Sequence, residues 1–215
     1  MIKCLIINYQ RITLPMKLAA FVHNHGIEPV IIDNNSDYPP LLEFYDTRCP
    51  YKVVRMDDNY GHLVVWKKNL LKHLGITGRY IVTDPDLDLS LIPGDWLSVM
   101  EAGLRKYPQF DKCGFSLEIN DLKNQPTIDW ENKFWQYPID DRYFIAQIDT
   151  TFALYNKPEF CLDALRTNRP YTAKHLPWYW DQVRDLPPDE QHYYNTQKRE
   201  YADHSNVKGR NYEQS

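Results

Sequence analysis

RYIVTDPDLD, residues 79–88, joins a short run of strand formers, Arg79–Thr83, to three aspartates, Asp84, Asp86 and Asp88. Pro85 stiffens the turn, so Asp84 and Asp86 leave the strand end close together. Two such carboxylates repel each other unless a cation sits between them. Hard oxygen ligands at a strand end, with room for waters and phosphate oxygens, suit Mg²⁺ or Mn²⁺ held jointly with a diphosphate. That ion would neutralise a phosphate leaving group as its bond breaks. The plainer reading is that these aspartates cap a turn and the helix after it. Asp86-Leu87-Asp88 repeats the spacing, but the pair nearest the strand end, Asp84 and Asp86, is the better placed.

Upstream of this segment, strand and helix signals alternate. Lys3–Asn8 (KCLIIN) reads as the first strand. Thr13 caps a helix with Pro15 in its first turn, Leu18, Phe21 and Val22 as its buried stripe, and Gly26 as its stop. Pro29–Asp33 is the second strand, closed by Asn34-Asn35-Ser36, and Tyr51–Arg55 the third. The spacing of Leu63, Trp66, Leu70 and Leu74 predicts one helix over His62–Leu74, stopped by Gly75; a further helix is expected over Asp95–Tyr107. Unbroken apolar strands alternating with helices predict a largely parallel sheet with right-handed crossovers.

The second half differs. Cys113–Ile119 and Ile148–Tyr155 read as strands, separated and followed by irregular segments rich in Pro, Trp and Tyr. A mixed sheet with long, functional loops is expected there. The chain is expected to form a single domain over residues 1–188, with 189–215 a polar C-terminal tail or linker, because Lys198–Ser215 has almost nothing to bury.

At 215 residues the chain can bury a substantial core. Sixteen Tyr and six Trp exceed what that core usually needs; they either line a site for a ring-shaped ligand or serve as packing. A net charge of −4, with only Lys67, Lys68 and Lys72 gathered on a helical pattern, argues against a nucleic-acid partner. The eight glycines form neither GxGxxG nor GxxxxGK[ST]. Phosphates would then be held by metal and side chains, which disfavours Rossmann dehydrogenases, P-loop enzymes and nucleotidyltransferases. Cys4, Cys49, Cys113 and Cys161 lack CxxC spacing. No signal peptide precedes the first strand, and no apolar run approaches the ~20 residues that span a bilayer. The expected setting is reducing and cytoplasmic.

In an open α/β sheet, ligands gather outside the carboxyl ends of the strands. Those ends carry Asn8, Tyr9, Gln10 and Arg11; Asp33, Asn34 and Asn35; Arg55, Asp57, Asp58, Asn59, Gly61 and His62; and the aspartates of residues 84–88. With this set, residues 1–185 resemble the nucleotide-sugar glycosyltransferases of the GT-A fold, whose Asp-x-Asp ends a strand near the middle of the domain. The chain is similar to the compact glycosyltransferase domains of large algal (chlorella) viruses, which would place it in the host cytoplasm.

The resemblance implies a central, mostly parallel mixed sheet flanked by helices. It also implies hexosyl or deoxyhexosyl transfer from a UDP-sugar, UDP-glucose or related, to a hydroxyl of a glycan or glycoprotein, with Mn²⁺ or Mg²⁺. By the same likeness Asn8, Tyr9 and Arg11 border the base and ribose, Asp33 accepts a hydrogen bond from uracil, and Arg55 or Asn59 lies near the nucleotide or diphosphate. Asp84 would touch ribose, the metal or its water; Asp86 would bind the metal directly; His175, in Lys174-His175-Leu176-Pro177-Trp178, would be a further metal ligand.

An inverting transfer needs a carboxylate or His opposite the leaving diphosphate. Asp149, Thr150 and Thr151 interrupt an otherwise apolar run, which is costly unless they face a site. Asp149 is therefore the first candidate base, with Glu118 and Asp121 behind it; pairing of Asp149 with a buried Arg, or a turn cap, would account for it as well. Trp130–Tyr137 and Trp178–Trp180 would form the acceptor side, or simply pack. Two other readings stay open: a non-catalytic nucleotide- or carbohydrate-binding module, and a haloacid-dehalogenase-type phosphotransferase, which usually carries its motif after the first strand.

Overall fold

The apolar runs of the N-terminal half pair side by side as parallel strands: β1 (Lys3–Asn8), β2 (Glu28–Asp33), β3 (Lys52–Arg55) and β4 (Tyr80–Thr83), in the order β3-β2-β1-β4. The register sets Asn8 beside Asp33 and Asp33 beside Arg55. Three polar strand ends thus share one edge of the sheet. The computed structural model describes residues 1–196.

β4 continues antiparallel onto β8 (Ala153–Tyr155), and from there the sheet runs through β6 (Lys112–Leu117), β9 (Asp163–His175) and β5 (Leu87–Asp88), with β7 (Tyr143–Gln147) paired to β9. The first half is parallel and the whole is mixed. β5 pairs with the end of β9, so that Leu87 sits beside His175. This pairing brings the Asp84–Asp88 turn against the C-terminal part of the chain.

Alternate residues of each N-terminal strand point to opposite faces, and both faces are buried, hence the unbroken apolar runs. On one face Cys4, Ile6, Ile31 and Ile81 pack under α1 (Thr13–Asn24) and α5 (Trp96–Lys106). Trp96, fully buried, sits edge-on to Phe115 and Phe152 at 5.7 and 5.3 Å. On the other, Leu5, Val30, Ile32 and Val82 pack with Val64, Val65, Leu70 and Leu71. Further helices include α2 (Pro39–Thr47), α6 (Gln125–Glu131) and α7 (Pro188–Thr196). Among the described residues, no helix is long and apolar enough to cross a membrane.

Several expectations are corrected. The helix expected over His62–Leu74 is two short ones, α3 (Val64–Lys67) and α4 (Leu70–His73), broken at Asn69, whose φ of 50° is left-handed; asparagine tolerates that conformation better than most residues. In the strand expected over Ile148–Tyr155, only Ala153–Tyr155 pairs. Upstream, Asp149 accepts hydrogen bonds from the Thr151 amide and hydroxyl at 3.0 and 2.9 Å, a local turn that competes with the ladder. The polar tail expected from Asp189 begins instead with α7, in which Asp189 and Glu190 are buried. Their carboxylates have partners in the body of the domain, which composition cannot reveal. The rest of that expected tail, 197–215, lies outside the described residues.

Candidate active site

A cleft of about 650 Å³ opens at the carboxyl end of β4, between the parallel half of the sheet and the irregular second half. Asp84, Asp86, Asp149 and His175 line it together. Asp84 is not a turn cap: its carboxylate accepts the Thr150 hydroxyl at 2.9 and 3.1 Å, and its amide donates to the Thr150 carbonyl. Burial, then repulsion from Asp149 and Asp86, pushes the Asp84 carboxyl well above the usual carboxylate range. Asp86 behaves oppositely. Burial would raise it, but Arg11 and His175 outweigh that and hold it low. His175 Nε2 stands 3.7 Å from Asp86 Oδ1, while Asp88 turns away and caps the Ser90 amide.

Arg11 is buried and bridges two acids. Its Nη1 donates to Asp86 Oδ2 at 3.0 Å, and its Nε lies 3.0 Å from Glu190 Oε2. The Tyr193 ring stacks on the guanidinium at 3.6 Å. Arg11 was expected to border base and ribose; the structure gives it to the acidic pair. Among the described residues, no preassembled group of three His, Cys, Asp or Glu ligands holds a metal geometry.

The base-side candidates form a second polar cluster. Asn8 donates to the Tyr45 hydroxyl at 2.8 Å, which lies 3.3 Å from Asp33 Oδ1, and the Ser36 hydroxyl donates to Asp33 at 2.5 Å. Arg55, half exposed, stands 3.7 Å from Asp33. Tyr9 is half-buried beside them, and Asn59 sits on an exposed loop, accepting the Gly61 amide at 3.0 Å. Tyr45 comes from α2, an element the sequence pattern did not signal.

Of the three candidate bases only Asp149 lines the cleft. Its enclosure would raise the carboxyl, but the Thr151 donors and Arg166 outweigh that and hold it below the ordinary range, so it stands ionised at neutral pH. Glu118 is tied to Arg169 at 2.9 Å and to Thr172 at 3.1 Å. Asp121 is tied to Lys174 and, at 2.7 Å, to the Tyr179 hydroxyl. Neither of these acids lines the cleft.

The outer half of the cleft is walled by Trp130, Phe134 and Leu162, with Asn124, Thr127 and Gln147 interspersed and Trp178 on the His175 side. Trp130 and Leu162 are exposed. Trp180 packs instead on Tyr194. The cleft is also lined by a pair the sequence reading missed: Arg166 Nη1 donates to Glu131 Oε1 at 2.5 Å, and both are largely buried. Neither stands out in the sequence, because Glu131 lies between Asp129 and Lys133 and Arg166 between Asp163 and Arg169. Lys112, fully buried, donates to the carbonyls of Ile148 and Asp149 and holds the turn that presents Asp149.

No family model matches the chain, and no curated protein matches it. Among solved structures, the mannosyltransferase PcManGT from Pyrobaculum calidifontis, in complex with GDP-Man and Mn²⁺, matches 89% of this chain and 69% of its own, with a TM-score of 0.54 and 12% identity. S. aureus TarS matches 73% of this chain and 28% of its own, at 15% identity and a TM-score of 0.44. A putative glucose-1-phosphate thymidylyltransferase from Bacillus anthracis, in complex with a sucrose, matches 73% and 72%, at 10% identity and a TM-score of 0.40. The fold is thus of the GT-A type, an α/β domain with a curled central mixed sheet flanked by helices.

Proposed function

We propose that the chain is a metal-dependent glycosyltransferase that moves a sugar from a UDP-sugar to a hydroxyl of a glycan or glycoprotein. The observation that carries this reading is the convergence of Asp84, Asp86, His175 and Asp149 on one cleft at the carboxyl end of β4. The donor set fits a divalent cation: carboxylate oxygens and an imidazole suit Mn²⁺ or Mg²⁺. Burial first, and repulsion from Asp149 and Asp86 after it, raise the Asp84 carboxyl, and such an ion relieves the repulsion. Asp84, Asp86 and His175 would hold it. When bound, the ion would neutralise charge developing on the departing diphosphate.

The chain's own residues then divide the work. Asn8, Tyr9, Asp33, Arg55 and Asn59 edge the base and ribose side, where a uridine would meet the Asp33 network. Trp130 and Phe134 offer ring faces to an acceptor sugar. Asp149, already a carboxylate, accepts the proton of the acceptor hydroxyl as that oxygen bonds to the anomeric carbon and the bond from that carbon to the diphosphate oxygen breaks. The product configuration is inverted. Four unpaired cysteines suit a reducing compartment such as the cytoplasm.

Asp149→Asn separates binding from chemistry. Turnover is expected to fall by roughly 10²–10⁴-fold, the usual worth of a positioned base, with UDP affinity unchanged. Wild-type turnover in the variant refutes the assignment. UDP binding with neither transfer nor donor hydrolysis in the wild-type chain, over a broad sugar panel, favours a non-catalytic binding module instead.

A further inference from the structure

α7 delivers two successive acids to the loop after β1. Asp189 accepts the amides of Ile12 and Thr13 at 2.7 and 2.6 Å and the Thr13 hydroxyl at 3.0 Å. It caps α1 from a distant part of the chain, satisfying donors that a helix start leaves open. That leaves Glu190 to explain. It is fully buried, which a carboxylate seldom is without a partner, and its one ionic partner among the described residues is Arg11. Arg11 in turn holds Asp86 at 3.0 Å. One guanidinium therefore serves two carboxylates, one in the cleft and one behind it.

We propose that Glu190 is a positioning residue that sets the cation affinity of Asp86 by sharing the charge of Arg11. A divalent ion approaching Asp86 meets the positive guanidinium on the same carboxylate. Glu190, on the far side of that guanidinium, offsets its charge and draws its Nε edge away from the cleft. In a buried site such charges are weakly screened, so the offset is felt at Asp86. The Tyr193 ring, 3.6 Å from the guanidinium carbon, keeps Arg11 in the plane where both acids reach it. The C-terminal helix thereby becomes part of the donor site, although none of its residues lines the cleft.

The inference rests on the metal-dependent reading and predicts effects of opposite sign, which a merely structural role would not give. Glu190→Gln leaves Arg11 uncompensated and weakens Mn²⁺ binding by about tenfold, within the usual range of such couplings. Arg11→Met removes the competing charge and tightens it. Arg11→Met combined with Glu190→Gln removes both charges and returns the affinity close to wild type. Mn²⁺ binding to the full chain at pH 8, above the Glu190 carboxyl that burial lifts to about 7, followed by electron paramagnetic resonance of the free ion with and without UDP, reads all four proteins. If Arg11→Met does not fold, the single Glu190→Gln and the double variant carry the test. Unchanged affinity in Glu190→Gln, or weakening in both single variants, overturns the proposal. A wild-type chain that takes up no Mn²⁺, with or without UDP, overturns the metal-dependent reading itself, a result distinct from either.

Discussion

Lys112→Met is expected to change how the protein's stability depends on pH. Lys112 is fully buried on β6, and its ammonium meets the Ile148 and Asp149 carbonyls and the Tyr155 hydroxyl, with no carboxylate paired to it among the described residues. Burial drives its pKa from 10.5 down to about 8; Cys161 and Asp149 oppose that shift and Arg166 adds to it. Below pH 8 the lysine is charged in both folded and unfolded chains, and the full penalty of about 3 kcal/mol is present. Between about pH 8 and 10.5 the folded protein has released its proton while the unfolded chain keeps it, so stability rises with pH. About 2.5 kcal/mol of the penalty should be gone by pH 10.

Lys112→Met removes this titration and adds a constant offset from its lost hydrogen bonds. Buried tyrosines away from Lys112, such as Tyr143, whose phenol burial pushes up, titrate alike in both proteins and cancel in the difference. Urea denaturation of the two proteins at pH 7, 8, 9 and 10 therefore isolates Lys112. Wild type should gain about 2.5 kcal/mol on the variant across that range. A difference that stays flat with pH would refute the reasoning.

Two further substitutions test the scaffold beneath Asp149. Gly114→Ala would set a Cβ 2.4 Å from the Phe152 carbonyl oxygen and 2.8 Å from Ile148; since backbone cannot give way, a loss of roughly 1–3 kcal/mol is expected, read as a lowered Tm, and an unchanged Tm contradicts it. Arg166→Leu leaves Glu131 buried and unpaired and should lose about 3–5 kcal/mol in urea denaturation. Replacing both by apolar residues should recover most of that, and a double variant no more stable than the single one would count against the pair.

The parallel half of the fold was legible because each strand there is buried on both faces and so writes an unbroken apolar run. β9 was not: Arg166, Asn168, Arg169 and Pro170 interrupt it, and its register against β6 jumps from Phe115↔Thr167 to Ser116↔Thr172. Asp84, Asp86 and Asp149 could be named because acids beside apolar runs are conspicuous. His175 could be placed only by likeness; pairing of β5 with β9 sets it beside Asp86. Glu118 looked equally exposed to a site, but its partner Arg169 lies far along the chain and becomes visible only in the folded protein. Glu190 was hidden for the opposite reason. Amid polar neighbours, nothing in its local sequence separates a buried ion pair from a solvated tail.

The central claim is that Asp84 and Asp86 hold a nucleoside diphosphate through a divalent cation, and calorimetric titration of UDP with and without Mn²⁺ tests it most directly. The account predicts binding that requires Mn²⁺ in the wild-type protein and is lost in Asp86→Ala. UDP binding that ignores both Mn²⁺ and the substitution, or no binding of any nucleoside diphosphate, would contradict it.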